Sequence, residues 1–362
     1  MSNLKSKNIS LVFLVLLNIV FLTSGSCSKK QTASPQLQGN DTLRTYTNPL
    51  GNITDIGDPY ILKYSNKYYM YATSSPIGFK VWESGNLIDW QVKGLAFDKN
   101  TSGNNWGTNS FWAPEVKCID GKFYMSYSAR IPNDRMKIRI AVSDNPLGPF
   151  INWSEPLLLS DDFSYIDSDL FIDGDKVFMY FTKDCSYNLI DGKHTSQIYV
   201  AEMSKDLKSF SSEPILATTP SQDWENQNGD WRWNEGSFVM KHDNTYYLMY
   251  SANVYNSADY SVGYATASNP LGPWTKYAGN PILKKNMSIH ASGPGHNSVT
   301  TSPDDKELFI VYHTHTFDDK PSGNRNLCID RMIFENGVIK VQGPTRSPQP
   351  LPSGVRYRII SK

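Results

Sequence analysis

The chain has 362 residues, and its 35 lysines and arginines balance 35 aspartates and glutamates, so its formal net charge is zero. That balance excludes the broad basic face of a nucleic-acid-binding protein and argues against polyanionic partners in general. Hydrophobic content is 39% with 13% aromatic residues, a mixture rich in tyrosine and tryptophan that suits sheets and the C–H faces of carbohydrates.

The first ten residues are basic and polar, and the apolar run LVFLVLLNIVFL at 11–22 is too short to span a bilayer comfortably. Residues 1–26 therefore read as a secretory signal peptide. The run closes on TSGSC, which resembles the cleavage motif of bacterial lipoproteins, although Ser24 stands where leucine is usual. The resemblance implies lipidation of Cys27, a lipid-anchored polar tether over 27–44, and an exported protein facing the periplasm or lying on the outer membrane. Cleavage near Ser26 to a soluble secreted form is the alternative. The other cysteines, Cys118, Cys185 and Cys328, are odd in number and lack a C-x-x-C spacing, so they form neither a zinc site nor a disulfide framework. Cys118 and Cys328 fall inside apolar strand patterns and read as small core residues.

From residue 58 onward one pattern recurs five times: an acidic residue or histidine, a strand, a tight turn and an aromatic-rich strand. The copies are DPYILKYSNKYYMYATS (58–74), APEVKCIDGKFYMSYSA (113–129), DSDLFIDGDKVFMYFTK (167–183), EGSFVMKHDNTYYLMYSA (235–252) and HNSVTTSPDDKELFIVYHT (296–314). Aligned on Lys67, Lys122, Lys176, Thr245 and Glu307, they are spaced by 55, 54, 69 and 62 residues, a period that suits propeller blades. Each unit continues into a further strand, and NPLGPF and NPLGPW recur as turns ending in an aromatic that would pack between blades. No segment holds a helical period. The expected fold is an all-β, five-bladed β-propeller over 45–345, with four-stranded blades around a central axis and a C-terminal tail over 346–362. Residues 41–49 are a candidate for the last strand of the fifth blade.

The longest spacing, before the fourth unit, contains TTPSQDWENQNGDWRWN at 218–234, an insertion that carries Trp224, Trp231 and Trp233 up to Glu235. It is a candidate substrate loop, with an ordinary surface loop as the alternative. The alignment places Asp58, Asp167, Glu235 and His296 near the start of the first strand in four units, where a propeller gathers them on its axis. Asp169 competes with Asp167, but Asp167 lies nine residues before Lys176, as Asp58 lies nine before Lys67. Asp55, Asp173, Asp175 and Asp184 lack that support and read as turn or surface residues.

Three carboxylates converging in a neutral protein call for a chemical reason, because buried carboxylates raise one another's pKa. Inverting glycoside hydrolysis supplies one. A carboxylate activates water on one face of the sugar, and a protonated acid about 6.5–9.5 Å away assists the leaving oxygen on the other. At this point the chain resembles glycoside hydrolase family 43 across about residues 46–340, through DPY at Asp58, WAPE at Trp112–Glu115, IDSDLFID around Asp167, NEG ending at Gly236, GPGHNS around His296, and the YHTH and NRNLCIDRM stretches.

The resemblance implies a five-bladed enzyme of the arabinofuranosidase, β-xylosidase and arabinanase group. Asp58 matches the general base, Asp167 the carboxylate that tunes and orients the acid, and Glu235 the general acid. His296 faces the axis, where the family often holds calcium through waters, so a metal near His296 is an expectation but no cofactor is required. Trp112, Phe111, Trp233 and Arg325 are candidate substrate contacts, and Glu115 would accept a sugar hydroxyl or close a turn. The implied partner is plant cell-wall oligo- or polysaccharide, with no nucleic acid and no obligatory protein partner. The implied activity is inverting removal of α-L-arabinofuranosyl or β-D-xylosyl units. Endo-acting arabinanase, galactofuranosidase or galactanase, and a non-catalytic glycan-binding lipoprotein are the alternatives.

Overall fold

The computed structural model describes residues 44–356 except 52 and 158. The signal peptide, Cys27, nearly all of the tether and residues 357–362 lie outside the described residues. Five four-stranded antiparallel sheets succeed one another along the chain. The first blade is Gly57–Tyr64, Lys67–Thr73, Gly78–Ser84 and Trp90–Asp98. The second is Asn109–Ile119, Lys122–Arg130, Met136–Ser143 and Ile151–Asn152. The third is Tyr165–Asp173, Lys176–Lys183, Gln197–Glu202 and Ile215–Thr218. The fourth is Asn234–His242, Thr245–Ala252, Ser261–Ala267 and Thr275–Lys276. The fifth is Gly295–Thr301, Leu308–His315, Arg325–Glu335 and Val338–Val341.

Second strands begin at Lys67, Lys122, Lys176 and Thr245 as the repeat predicts, and in the fifth blade one residue later, at Leu308. Their interiors are almost continuously buried, as strands sandwiched between neighbouring blades must be. The hairpin turns use Ser65-Asn66 and Asp120-Gly121, pairs in which both residues have positive φ, as a two-residue turn between twisted strands requires. The two NPLGP turns serve one purpose twice. Phe150 stands edge-on to Tyr71, whose hydroxyl donates to Pro146 O, and Trp274 stands edge-on to Tyr180, whose hydroxyl donates to Pro270 O. Each turn thereby locks its blade to the one before.

First strands of neighbouring blades touch all the way round, including the first against the fifth. The ring closes differently from the expectation for residues 41–49. The fifth blade takes its fourth strand from Val338–Val341, which covers only the outer half of Arg325–Glu335. The inner half is capped by the N-terminal segment without a regular ladder: Leu50 N–H donates to Leu327 O, Ile56 N–H to Arg325 O, and Asn48 bonds both the N–H and the O of Ile329. Thr45–Tyr46 pairs instead with Gln349–Pro350. Residues just beyond 345 therefore pack on the body rather than trail from it, and Ser353 N–H bonds Glu307 at 2.7 Å.

The insertion before the fourth blade is not a bare loop. Its Trp231–Arg232 pairs in parallel with Lys193–Thr195, which pairs with Leu189–Ile190, so two excursions from the third blade form a small accessory sheet. The insertion is rooted by Glu225, which is fully buried. Its carboxylate meets Lys276 Nζ at 2.6 and 2.7 Å and accepts from Tyr250 Oη and from the N–H groups of Ser221 and Gln222. The same ammonium donates to Asn234 Oδ1 at 2.9 Å, directly before Glu235. Removing one partner of such a pair strands the other charge. Glu225→Ala should lower the unfolding free energy by about 3–5 kcal/mol in urea titrations; a loss comparable with that of an exposed ion pair, about 1 kcal/mol or less, would refute the clamp.

Candidate active site on the propeller axis

A β-bulge interrupts the first strand of every blade at one place, between Gly57 and Tyr60, Trp112 and Glu115, Ile166 and Asp169, Glu235 and Phe238, and Gly295 and Ser298. The residue inside each bulge is left-handed: Asp58, Ala113, Asp167, Gly236 and His296 have φ between 46° and 60°. The N–H of this residue points at the preceding blade. Ala113 donates to Thr73 Oγ1 at 2.9 Å, Asp167 to Ser128 Oγ at 3.2 Å, His296 to Ser251 Oγ at 2.8 Å and Asp58 to His313 Nδ1 at 3.3 Å. The exception is the fourth blade, where Gly236 N–H donates to Asp167 Oδ2 at 3.1 Å and the buried Thr182 hydroxyl is left without a partner.

This ring corrects the repeat alignment. The fourth member of the column is Gly236, and Glu235 sits one residue earlier, in register with Gly57, Trp112, Ile166 and Gly295. A bulge re-aims side chains, and Glu235 still reaches the common centre, where its carboxyl is influenced by both Asp167 and Asp58. At Gly236 a Cβ would lie 3.0 Å from His296 Nδ1 at a positive φ, a close contact that glycine avoids. Ala113 leaves the second blade's share of the axis open, as the sequence suggests.

Asp58 is surrounded by donors. Arg325 Nη1 lies 2.8 Å from Oδ1, Thr73 donates to Oδ2 at 2.6 Å, and His296 Nδ1 approaches Oδ1 at 3.3 Å. Burial alone would raise its pKa. Arg325, then His296, and the Thr73 hydroxyl outweigh burial and hold the carboxylate well below its usual range. His313 is driven the other way, well below the ordinary histidine value, by burial and then by Arg325, and its neutral ring accepts the Asp58 N–H. Arg325 is thus first a clamp on Asp58. It fits only because residue 57 is glycine, since a Cβ there would fall on its guanidinium.

Asp167 and Glu235 lack a cation of this kind. Burial is the largest influence on Asp167; His296 opposes it and Asp58 reinforces it, and the group is raised to about 6. Glu235 is raised well above the ordinary glutamate value by burial and by Asp167, against the hydrogen bond from Tyr260 Oη to Oε1 at 3.0 Å. Asp184 raises both groups, so a residue that reads as surface in the sequence adds to the field of the site. Tyr260, Thr73 and the role of His313 are missing from the sequence reading, which places Asp184 among turn or surface residues. Thr73 and His313 were legible as the residues that close the second strands opposite the bulges, whereas Tyr260 lies in no motif.

Two residues beyond each bulge a second axial layer lies beneath the first, formed by Tyr60, Glu115, Asp169, Phe238 and Ser298. Asp169 is fixed there by Lys117 Nζ at 2.8 Å and by Val239 N–H at 2.9 Å, which leaves Asp167 as the carboxylate of the upper layer. Lys117 also faces the rings of Tyr60 and Phe238 at 5.0 and 5.1 Å. Glu115 is raised well above its usual value by burial and by Asp169, and lies in this layer rather than at a turn.

Two concavities flank the centre. One of about 250 Å3 is bounded by Gly57, Thr73, Trp112 and Arg325, so that the two partners of Asp58, Thr73 and Arg325, reach it. The other, about 600 Å3, is lined by Trp224, Trp233, Asn253 and Asp259. Trp112 is half-buried and walls the smaller one. Phe111 lines the same depression from the core side: at 1% exposure it packs edge-on to Phe79 and beside Phe97. Trp233 belongs to the larger concavity. His296 turns Nδ1 toward Asp58 Oδ1 at 3.3 Å, and Asp58 is paired with Arg325. Among the described residues no group of three histidine, cysteine or carboxylate side chains is placed to hold a metal ion directly.

The sequence profile of glycosyl hydrolases family 43 matches residues 46–339. An extracellular exo-α-(1→5)-L-arabinofuranosidase of Streptomyces avermitilis is 28% identical over 84% of this chain, which spans 62% of that relative's length. A xylosidase/arabinosidase of Bacteroides ovatus is 28% identical over 61% of this chain and 76% of its own. Among solved structures, a thermostable family-43 glycoside hydrolase superposes with a TM-score of 0.84 at 59% identity, covering 85% of this chain and 99% of that one. With the five blades and the axial carboxylates in place, these matches show that the chain belongs to glycosyl hydrolase family 43.

Proposed function

We propose that this protein is an inverting glycosidase that removes terminal pentose units from arabinan- or xylan-type cell-wall glycans. One observation carries the reading: within a single buried cluster Asp58 meets the Arg325 guanidinium and the Thr73 hydroxyl, which favour its carboxylate, whereas Glu235 meets only the Tyr260 hydroxyl and is pushed toward its protonated form by burial and by Asp167. Inverting hydrolysis needs that division between its base and its acid. Asp58 takes a proton from water as the water oxygen bonds to the anomeric carbon. Glu235 gives its proton to the glycosidic oxygen as the C–O bond breaks, and solvent restores both groups. A carboxylate held as low as Asp58 is a weak base. It suits an oxocarbenium-like transition state, in which its charge beside the anomeric carbon also stabilises the developing cation.

Asp167 acts through Glu235. Its charge disfavours ionisation of the acid, and its Oδ2 is fixed by Gly236 N–H, the residue next to that acid. The depression of about 250 Å3 beside Asp58 suits a single sugar against Trp112, which supports release from chain ends. The names of the two relatives support a pentose. Export is supported by the apolar run at 11–22 and by the extracellular relative; attachment through an acylated Cys27 rests on the TSGSC motif alone. Cys27→Ala should then move the protein from the membrane to the soluble fraction, and unchanged fractionation would dismiss the anchor.

Purified protein should release a single pentose from arabino- or xylo-oligosaccharides, with the first-formed anomer inverted by proton NMR. Asp58→Asn and Glu235→Gln should each lower kcat on these glycans by about 10²–10⁴-fold with unchanged circular dichroism. Glu235→Gln alone should recover on aryl glycosides whose leaving group needs no proton. Equal losses on both substrates would overturn the acid assignment.

The pH profile follows from the same groups. Activity needs Asp58 ionised and Glu235 protonated, so the acid limb lies below the ordinary aspartate range and the alkaline limb above the ordinary glutamate range. Asp167→Asn removes a negative neighbour, lowers the pKa of Glu235 and should move the alkaline limb to lower pH. Tyr260→Phe removes a donor to the carboxylate and should move it to higher pH. Parallel shifts in kcat/KM profiles would refute this electrostatic account.

A further inference from the structure

The larger concavity is lined not by the acid itself but by its neighbours in the chain and those of its hydrogen-bond partner. Trp233 precedes Glu235 by two residues, and Asp259 and Ser261 flank Tyr260, whose hydroxyl bonds Glu235. The groove is walled by the insertion on one side and by fourth-blade segments through Asn253 and Lys284 on the other. Of its two indoles, Trp233 stacks at 23° and 6.3 Å on Trp231, which lies 7° from parallel and 3.7 Å from His194. Both rows rest on the accessory sheet, whose root is the buried Glu225–Lys276 pair.

The polar lining is equally constrained. Asn253 donates its amide protons to Trp224 O and Asp259 O, and Asn226 donates to Trp231 O. Those bonds orient the two side-chain carbonyls as acceptors. Asp223 and Asp259 are offset by Lys284 and Lys285, and Lys285 pairs with Asp259 at 2.7 Å. A pinned indole beside oriented acceptors and balanced charge matches a neutral polyol: ring C–H groups stack on the indole and hydroxyls donate to the carbonyls. A volume of about 600 Å3 falls within the roughly 300–1,000 Å3 that holds drug-sized ligands, room for more than one sugar.

We infer that this groove binds the leaving-group side of a neutral oligosaccharide, so that turnover depends on the length of chain beyond the scissile bond. The inference rests on the assignment of Glu235 as proton donor, because the leaving oxygen departs on the acid's side of the sugar. Trp233 is then a specificity-determining contact for the chain, distinct from the depression beside Asp58 that holds the sugar released.

The test is kcat/KM for α-(1→5)-arabino- and β-(1→4)-xylo-oligosaccharides from disaccharide to hexasaccharide, with the wild type and Trp233→Ala. In the wild type the value should climb from disaccharide to tetrasaccharide on the preferred series. In Trp233→Ala the tetrasaccharide-to-disaccharide ratio should fall about tenfold. A wild-type value independent of length, or a ratio unchanged by the substitution, overturns the groove while leaving the hydrolase reading intact. Calorimetric titration of the Asp58→Asn protein with the same oligosaccharides supplies a second measure that does not depend on the folding of the tryptophan variant. Affinity that tightens with length supports the groove even if the wild type cleaves nothing, an outcome that would defeat only the hydrolase reading. Affinity that is flat with length, or no binding, overturns it.

Discussion

The hydrogen bond from each left-handed bulge residue to the preceding blade is the constraint on which the rest of the site depends. A propeller must bring five first strands together on one axis, where regular strands would present alternate residues at a spacing set only by the pleat. The bulge breaks the pleat at one level, and the cross-blade bond fixes that level relative to the neighbour. Four blades use a hydroxyl or an imidazole of the second strand as acceptor, and that residue always stands opposite the residue before the bulge. The geometry therefore propagates round the ring without any long-range ladder between blades. A non-glycine residue at positive φ is a local strain, and here it recurs at the same station in Asp58, Ala113, Asp167 and His296. The recurrence shows that the blade scaffold over-determines the conformation.

The same device makes three chemically similar side chains behave differently. Asp58 bonds back to the fifth blade, and that blade supplies Arg325 and His296, so its charge is favoured despite burial. Asp167 bonds back to the second blade, whose contribution to the upper layer is Ala113, and His296 is the one side chain that opposes the effect of its burial there. Its carboxylate instead replaces the missing hydroxyl acceptor for Gly236 N–H. Thus the one departure from the ring joins Asp167 to the residue beside Glu235. The pKa difference between base and acid comes from which blade each residue leans on, and not from residue type.

Much of this was legible in the sequence. The repeat located the second strands to within one residue because their aromatic cores and tight turns are dictated by local chemistry. The nine-residue distance from Asp58 to Lys67 also held the key to the fourth blade: counted back from Thr245 it arrives at Gly236, not Glu235. The attraction of aligning acid with acid hid a glycine whose small size is the functional feature. Phe111 was half legible: it lines the same depression as Trp112, but from the core, where it packs on Phe79 and Phe97. Ring closure was half legible. The N-terminal segment does cap the fifth blade, but Pro49 and the irregular run around it cannot form a ladder, so sequence pattern gave no strand to see. Tyr260 and Asp184 reach the site only through tertiary packing of loops, which no periodicity reports.

The accessory sheet follows from what the ring cannot provide. Axial bulges hold the upper layer rigidly, but Glu235 lies one residue outside the bulge position and its strand emerges from a long insertion. A proton donor so placed needs a second anchor. Glu225 and Lys276 supply it at the insertion's root, with the lysine reaching Asn234, and Tyr260 holds the carboxyl itself. Burying a lysine is unfavourable, and here burial pulls Lys276 down to about 8 against the opposing effect of Glu225. Such a pair is poor value as stabilisation alone, since apolar residues of similar volume do as well or better. Its yield is direction: one ammonium with fixed acceptors on the insertion and on the residue before Glu235 ties both to a single geometry. A groove wall built on that insertion inherits the same precision, which is why the acid's side of the site can be both far from the axis and ordered.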